Sequence, residues 1–137
     1  MGTLVSPLTH AVEHPLRVLI VDDNEDALEM LSSLVSAWGH HVLSVGESVA
    51  ALEQGPSFNP DVALLDIGLP VMDGYEVAAA LRDRMHPARP IFVAVTGYGQ
   101  VHDRARSLSE GFAAHLVKPI DAAQLERLLA GEPVSIG

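Results

Sequence analysis

The feature that most constrains this chain is an alternation. Five short apolar runs, at 16–21, 41–45, 61–66, 91–95 and 113–117, each precede a segment whose apolar residues recur at helical spacing. The runs are nearly continuous in Val, Ile, Leu and Ala, as expected of strands buried on both faces. The first helical segment, 24–38, aligns Ala27, Leu28, Leu31, Leu34, Val35 and Trp38, and Gly39 is a natural stop. Further helices are predicted at 48–54, closed by Gly55-Pro56, and at 74–84 with Val77, Ala78 and Leu81 inward. Another is predicted at 100–109, with a thin core stripe of Val101, Ala105 and Leu108, and the last at 121–130. Asp121 is a candidate N-cap with Gln124 three residues on, close to a capping box. Met30 and Trp38 are expected in the core. Strands alternating with helices imply an α/β fold: a doubly wound, five-stranded parallel sheet flanked by five helices, with right-handed crossovers.

A chain of 137 residues is the size of one domain, and a domain of this size buries roughly two-thirds of its unfolded surface. The expected organisation is a leader at 1–15, a single domain at 16–130 and a tail at 131–137. The leader lacks the basic and apolar regions of a signal peptide. Its Met1-Gly2 with Ser6 fits a myristoylation pattern, but the pattern is short, and a linker remnant is the preferred reading. The domain leaves no room for a DNA-binding output module, so any output is expected from a partner or a neighbouring segment.

In open sheets of this kind the ligand crevice lies at the carboxyl ends of the strands. The first run ends at Asp22-Asp23, the third at Asp66, the fourth at Thr96-Gly97 and the fifth at Lys118-Pro119. Three carboxylates, a hydroxyl and an ammonium therefore converge on one rim. Carboxylates this close repel one another and remain ionised together if a divalent cation sits between them. An all-oxygen donor set suits Mg²⁺, with Mn²⁺ as the alternative. Lys118 adds a point charge suited to a phosphate oxygen, and Thr96 adds a donor. Such a rim holds a phosphoryl group in transfer. There is no cysteine and no Ser–His pair on it, so its nucleophile must be a carboxylate.

Composition narrows the partners. Acidic residues outnumber basic ones 18 to 8, a formal charge of −10, which argues against nucleic acid and against an anionic membrane surface. No apolar run approaches the roughly 20 residues that span a bilayer. The seven histidines lack zinc-ligand spacing: His10, His14, His86 and His102 are scattered, and His40-His41 would point to opposite faces of a strand. Gly97 and Gly99 lack the Walker pattern. Arg104-Ala105-Arg106 reads as a solvated helix face.

Four motifs together carry a resemblance: Val-Asp-Asp-Asn-Glu at 21–25, Leu-Leu-Asp-Ile-Gly-Leu-Pro-Val-Met-Asp-Gly-Tyr-Glu at 64–76, Val-Thr-Gly-Tyr-Gly at 95–99 and Val-Lys-Pro-Ile-Asp at 117–121. In this order the chain resembles the receiver domain of two-component response regulators, over nearly all of 16–130. The resemblance implies a flavodoxin-like sheet of order 2-1-3-4-5. It implies Asp66 as phosphoacceptor, charged from a phosphohistidine on a sensor histidine kinase or His-phosphotransfer domain. It further implies Asp23, Asp66 and the Gly68 carbonyl as direct Mg²⁺ ligands, Asp22 acting mainly through water, Lys118 pairing with the phosphoryl group, and a cis Lys118-Pro119 bond. Thr96 would couple the chemistry to a switch position that is often Tyr or Phe and here is His115. Gly68 and Tyr98 occupy the positions that tend to set acyl-phosphate lifetime. Phosphorylation would bias the face formed by 100–109, 113–117 and 121–130, which is also the expected homodimer face. The protein would be cytoplasmic and not a classical enzyme. The Asp-Ile-Gly-Leu-Pro and Thr-Gly-Tyr-Gly-Gln runs further resemble receivers attached to hybrid histidine kinases, and a free-standing receiver stays open.

Each motif alone has an ordinary reading. Asp22-Asp23-Asn24-Glu25 would suit an acidic helix start, and Lys118 a loop. Their joint placement at strand ends favours the functional reading. Two other functions stay open: a receiver-like interaction module that is not phosphorylated, and a Mg²⁺-dependent aspartyl-phosphate phosphatase. The second usually places its two aspartates two residues apart after the first strand, where this chain has Asp22-Asp23-Asn24.

Overall fold

The computed structural model describes residues 14–97 and 104–132. Along them run β1 (Arg17–Val21), α1 (Glu25–Ala37), β2 (His41–Val45), α2 (Ser48–Phe58), β3 (Val62–Asp66), α3 (Gly74–Met85), β4 (Ile91–Thr96), α4 (Arg104–Ser109), β5 (Phe112–Val117) and α5 (Ala122–Leu129). The strands form one parallel sheet in the order β2-β1-β3-β4-β5, as expected. Most of the leader, Tyr98 and Gly99, Val101 and His102, and tail residues 133–137 lie outside the described residues.

Alternating strand residues feed two cores. Leu19, Val21, Ala63 and Leu65 face the α2–α3 side, with Val77, Ala78 and Leu81. Val18, Ile20, Leu64 and Val93 face the α1–α5 side, with Leu31, Val35 and Leu125. β3 is buried at all five positions, which is why its sequence shows no alternation.

The helix ends set the site. Asn24 caps α1, its side chain accepting from the Ala27 N–H at 3.0 Å, and Gly39 turns the chain out of α1 at φ 99°. Asp73 and Glu76 form a capping box at α3, with bonds of 2.9 and 3.1 Å. At α5, Asp121 accepts from the Ala123 and Gln124 N–H groups, so the expected cap is present.

Three expectations are corrected. α2 does not close at Gly55-Pro56 but continues to Phe58 and ends at Asn59 in the left-handed region, φ 56°. Pro56 has no N–H for the Leu52 carbonyl one turn back. That carbonyl accepts instead from Arg84 Nη1 of α3 at 3.1 Å, which lets the helix pass the proline. Met30 is 48 % exposed rather than in the core, whereas Trp38 packs against the α1–α5 core. The stripe expected on α4 is absent among its described side chains: Ala105 and Leu108 are exposed, and Ser107 is the buried one.

Candidate functional site

The parallel ladder brings the five strand-end residues to one rim. Asp22 follows β1 and its N–H donates to the Val45 carbonyl at 3.2 Å. Asp66 ends β3 in register with Val95, and the Ile67 N–H extends that pairing to the Val95 carbonyl at 2.9 Å. Thr96 ends β4, and its carbonyl accepts from the Lys118 N–H at 2.7 Å. Backbone bonds thus fix the root of each side chain.

Oxygens of Asp22, Asp23 and Asp66 lie within 4.8 Å of one another. Asp22 and Asp66 are buried, at 2 % and 6 % exposure, while Asp23 is exposed. Lys118 Nζ reaches Asp22 Oδ2 at 2.7 Å and Asp66 Oδ2 at 3.4 Å. The other oxygens are also held: Asp22 Oδ1 accepts from the Asn24 N–H and Asp66 Oδ1 from the Gly68 N–H, both at 2.9 Å. Asp22 is therefore pinned at both oxygens, and Asp66 is steered with Oδ1 toward the loop and Oδ2 toward Lys118.

Burial pushes the Asp66 carboxyl above the usual carboxylate range. The Gly68 N–H and Lys118 oppose this, and Asp22 adds to it. Burial works against the Lys118 ammonium, but its bond to Asp22 and the charges of Asp66 and Asp22 outweigh that and hold its pKa above the ordinary value. Lys118 is thus firmly cationic. Three carboxylates against one ammonium leave the rim short of positive charge, with hard oxygen donors directed inward. That donor set fits a divalent cation such as Mg²⁺.

The α3 start is seated directly on Asp66. A Cβ on Gly74 would lie 2.7 Å from the Asp66 carbonyl oxygen and 2.8 Å from the Ile67 Cα, so only glycine permits this approach. On the other side, Ala27, Met30, Leu31, Gly97, Lys118, Pro119 and Ile120 line a groove of about 370 Å³ beside the rim, which explains the exposure of Met30. The Lys118-Pro119 bond in its wall is cis.

Of the residues singled out from sequence, Asp22, Asp23, Asp66 and Lys118 meet directly. Thr96 is buried on the adjoining strand end, and Gly68 contributes an N–H to Asp66. His115 is buried on β5, three residues before Lys118, with Nδ1 3.1 Å from Ser107 Oγ of α4. Sequence reasoning missed Gly74, whose signal was its place at a predicted helix start, and Ser107 and Tyr75, which carry no periodic signal.

Residues 18–130 match the response regulator receiver domain family. The chain belongs to that family. It is similar to the transcriptional regulatory protein PrrA of Mycobacterium tuberculosis, 37 % identical over 109 residues, which cover 80 % of this chain and 46 % of PrrA. It is also similar to the signal transduction histidine-protein kinase BarA of Escherichia coli K12, 28 % identical over 123 residues, covering 90 % of this chain and 13 % of BarA. The chain therefore spans less than half the length of either relative. Among solved structures, a CheY-like response regulator receiver domain protein from Methanospirillum hungatei JF-1 superposes with a TM-score of 0.76 at 26 % identity, covering 86 % of this chain and 93 % of that one. Receiver domains interact with histidine kinases or phosphotransfer proteins. No helix among the described residues is long and apolar enough to cross a membrane.

Proposed function

We propose that this receiver domain accepts a phosphoryl group on Asp66 from a phosphohistidine of a partner kinase or phosphotransfer domain. The observation that carries the reading is the held Asp66 carboxylate, with Gly68 N–H on one oxygen and Lys118 on the other. In the step, an Asp66 oxygen bonds to phosphorus as the P–N bond breaks, and the leaving imidazole takes up a proton. Lys118 stabilises negative charge on the phosphoryl oxygens, and Thr96 offers a hydroxyl to them. Asp22, Asp23, Asp66 and the Gly68 carbonyl would hold Mg²⁺ (or Mn²⁺), which supplies charge neutralisation at the phosphoryl group. The apolar groove beside Lys118 suits the approach of a protein donor across α1.

The face of α4, β5 and α5 is the proposed output and homodimer surface, and Leu108 and Val117 stand exposed on it at 61 % and 52 %. The reading is of a cytoplasmic protein with its domain at 16–130. Incubation with Mg²⁺ and a small-molecule phosphodonor is expected to add one phosphoryl group by intact mass, and Asp66→Asn to add none. A variant that is still phosphorylated, or a wild type that gains no mass, overturns the reading.

A further inference from the structure

α4 lacks the apolar face that seats most helices. Among its described side chains Ser107 alone is buried, at 0 % exposure, while Leu108 stands 61 % exposed. Ser107 Oγ lies 3.0 Å from the Tyr75 hydroxyl of α3 and 3.1 Å from His115 Nδ1 of β5. Both partners are buried, so one serine joins three elements through a hydrogen-bond chain. A serine hydroxyl has one proton, so Ser107 can donate to only one of the two and must accept from the other. The chain is therefore directional, and a change at either end is felt at the other.

The surroundings hold this chain in place without replacing it. The Tyr75 ring meets Phe112 edge-on at 5.5 Å, with the Arg106 guanidinium 4.1 Å from its centre. Arg82 of α3 donates to the Glu110 carbonyl just beyond α4. At the other end, His115 is three residues from Lys118, whose N–H binds the Thr96 carbonyl and whose ammonium binds Asp22 and Asp66. A shift in the end of β5 thus reaches the serine through the His115 side chain.

We propose that Tyr75–Ser107–His115 is a polar latch that keeps α4 docked, and that it opens when Asp66 is phosphorylated. Ser107 is its positioning residue. The second half rests on the phosphoacceptor reading; the first does not.

Amide hydrogen exchange on the full chain tests both. Without a phosphodonor, Ser107→Ala and Tyr75→Phe are each expected to speed exchange at the Glu110 and Gly111 amides by about five-fold or more, the effect of one lost hydrogen bond. β1 and β3 should be unchanged. Because both variants break one chain, the double variant should exchange no faster than the faster single. Unchanged α4 exchange in both singles, or effects that multiply, overturns the latch. Tyr75→Phe keeps the ring and its packing, so the test survives if Ser107→Ala does not fold. With a phosphodonor, wild type is expected to rise to the Ser107→Ala level and that variant to rise no further. Wild type that gains the phosphoryl mass without faster α4 exchange overturns the opening step. Absence of the mass gain overturns the phosphoacceptor reading instead, and the latch then stands or falls on the first comparison.

Discussion

Asp66 sits where burial and charge act against each other, and its pKa is raised above the ordinary carboxylate value, with burial the largest cause. A raised carboxyl pKa means that the fold prefers the protonated form. Ionisation then costs stability at every pH above the folded pKa, and the cost vanishes below the unfolded value of about 3.9. In chelator-treated buffer at pH 7, Asp66→Asn is expected to raise Tm, since Lys118 keeps its 2.7 Å bond to Asp22. The gain should shrink as pH falls and close toward about pH 3, where wild type is largely protonated in both states; melting the two proteins across pH 3–8 checks this, and a constant difference refutes it. Five residues on, Val71 holds φ 71° at 97 % exposure, and the Met72 N–H donates to the Pro70 carbonyl at 2.8 Å. This is a tight three-residue turn in the left-handed region, strained for a β-branched side chain that packs against nothing. Relief of the strain exceeds the added chain entropy of glycine, so Val71→Gly is expected to stabilise by about 1 kcal/mol. The measure is a higher urea midpoint at constant m-value, and a lower midpoint would contradict it.

At the scale of elements, α2 shows how a distant side chain overrides a local rule. Gly55-Pro56 reads as a stop because proline strips one backbone bond from a helix. Arg84 restores a donor to the Leu52 carbonyl from 32 residues away, and no local window contains that residue. Arg84→Ala should therefore cost about 1 kcal/mol, and much less in a Pro56→Ala background, where the missing N–H is back. A urea-denaturation double-mutant cycle reads the coupling, and equal costs in both backgrounds would reject the account. The same logic separates what was legible from what was not. Gly39 and Asp121 could be read because caps act within four residues of their targets, whereas Asn24 was read as part of the helix that it caps. The rim could be read because Asp22, Asp66, Thr96 and Lys118 each stand at the end of an apolar run, and a parallel ladder carries all such ends to one edge. The seat of α4 could not, because periodicity counts apolar residues and this helix is held by a serine, with Tyr75 32 residues away in sequence. Gly74 was read as a helix start, but its contact with the Asp66 backbone exists only once α3 has folded back over the sheet.

At the scale of the whole molecule, a net charge of −10 and the carboxylate rim make separable predictions about salt. Any salt screens the general repulsion, so both NaCl and MgCl₂ should stabilise the fold by that route. Among the described residues only the rim offers three converging carboxylates, two of them buried, and only a compact divalent ion exploits them. Binding to the folded state alone stabilises by about 2.7 kcal/mol at a hundredfold excess over Kd. For a domain of this size that is a rise of roughly 5–10 °C in Tm. At matched ionic strength MgCl₂ is therefore expected to raise Tm well beyond NaCl. Asp23→Asn, which removes an exposed carboxylate charge and no packing, should take away most of the excess while leaving the NaCl response intact. Equal shifts with the two salts would mean that the charge acts only diffusely. An excess that survives Asp23→Asn would mean that the ion is held without that carboxylate, and the ligand set built from the three strand-end aspartates would be wrong.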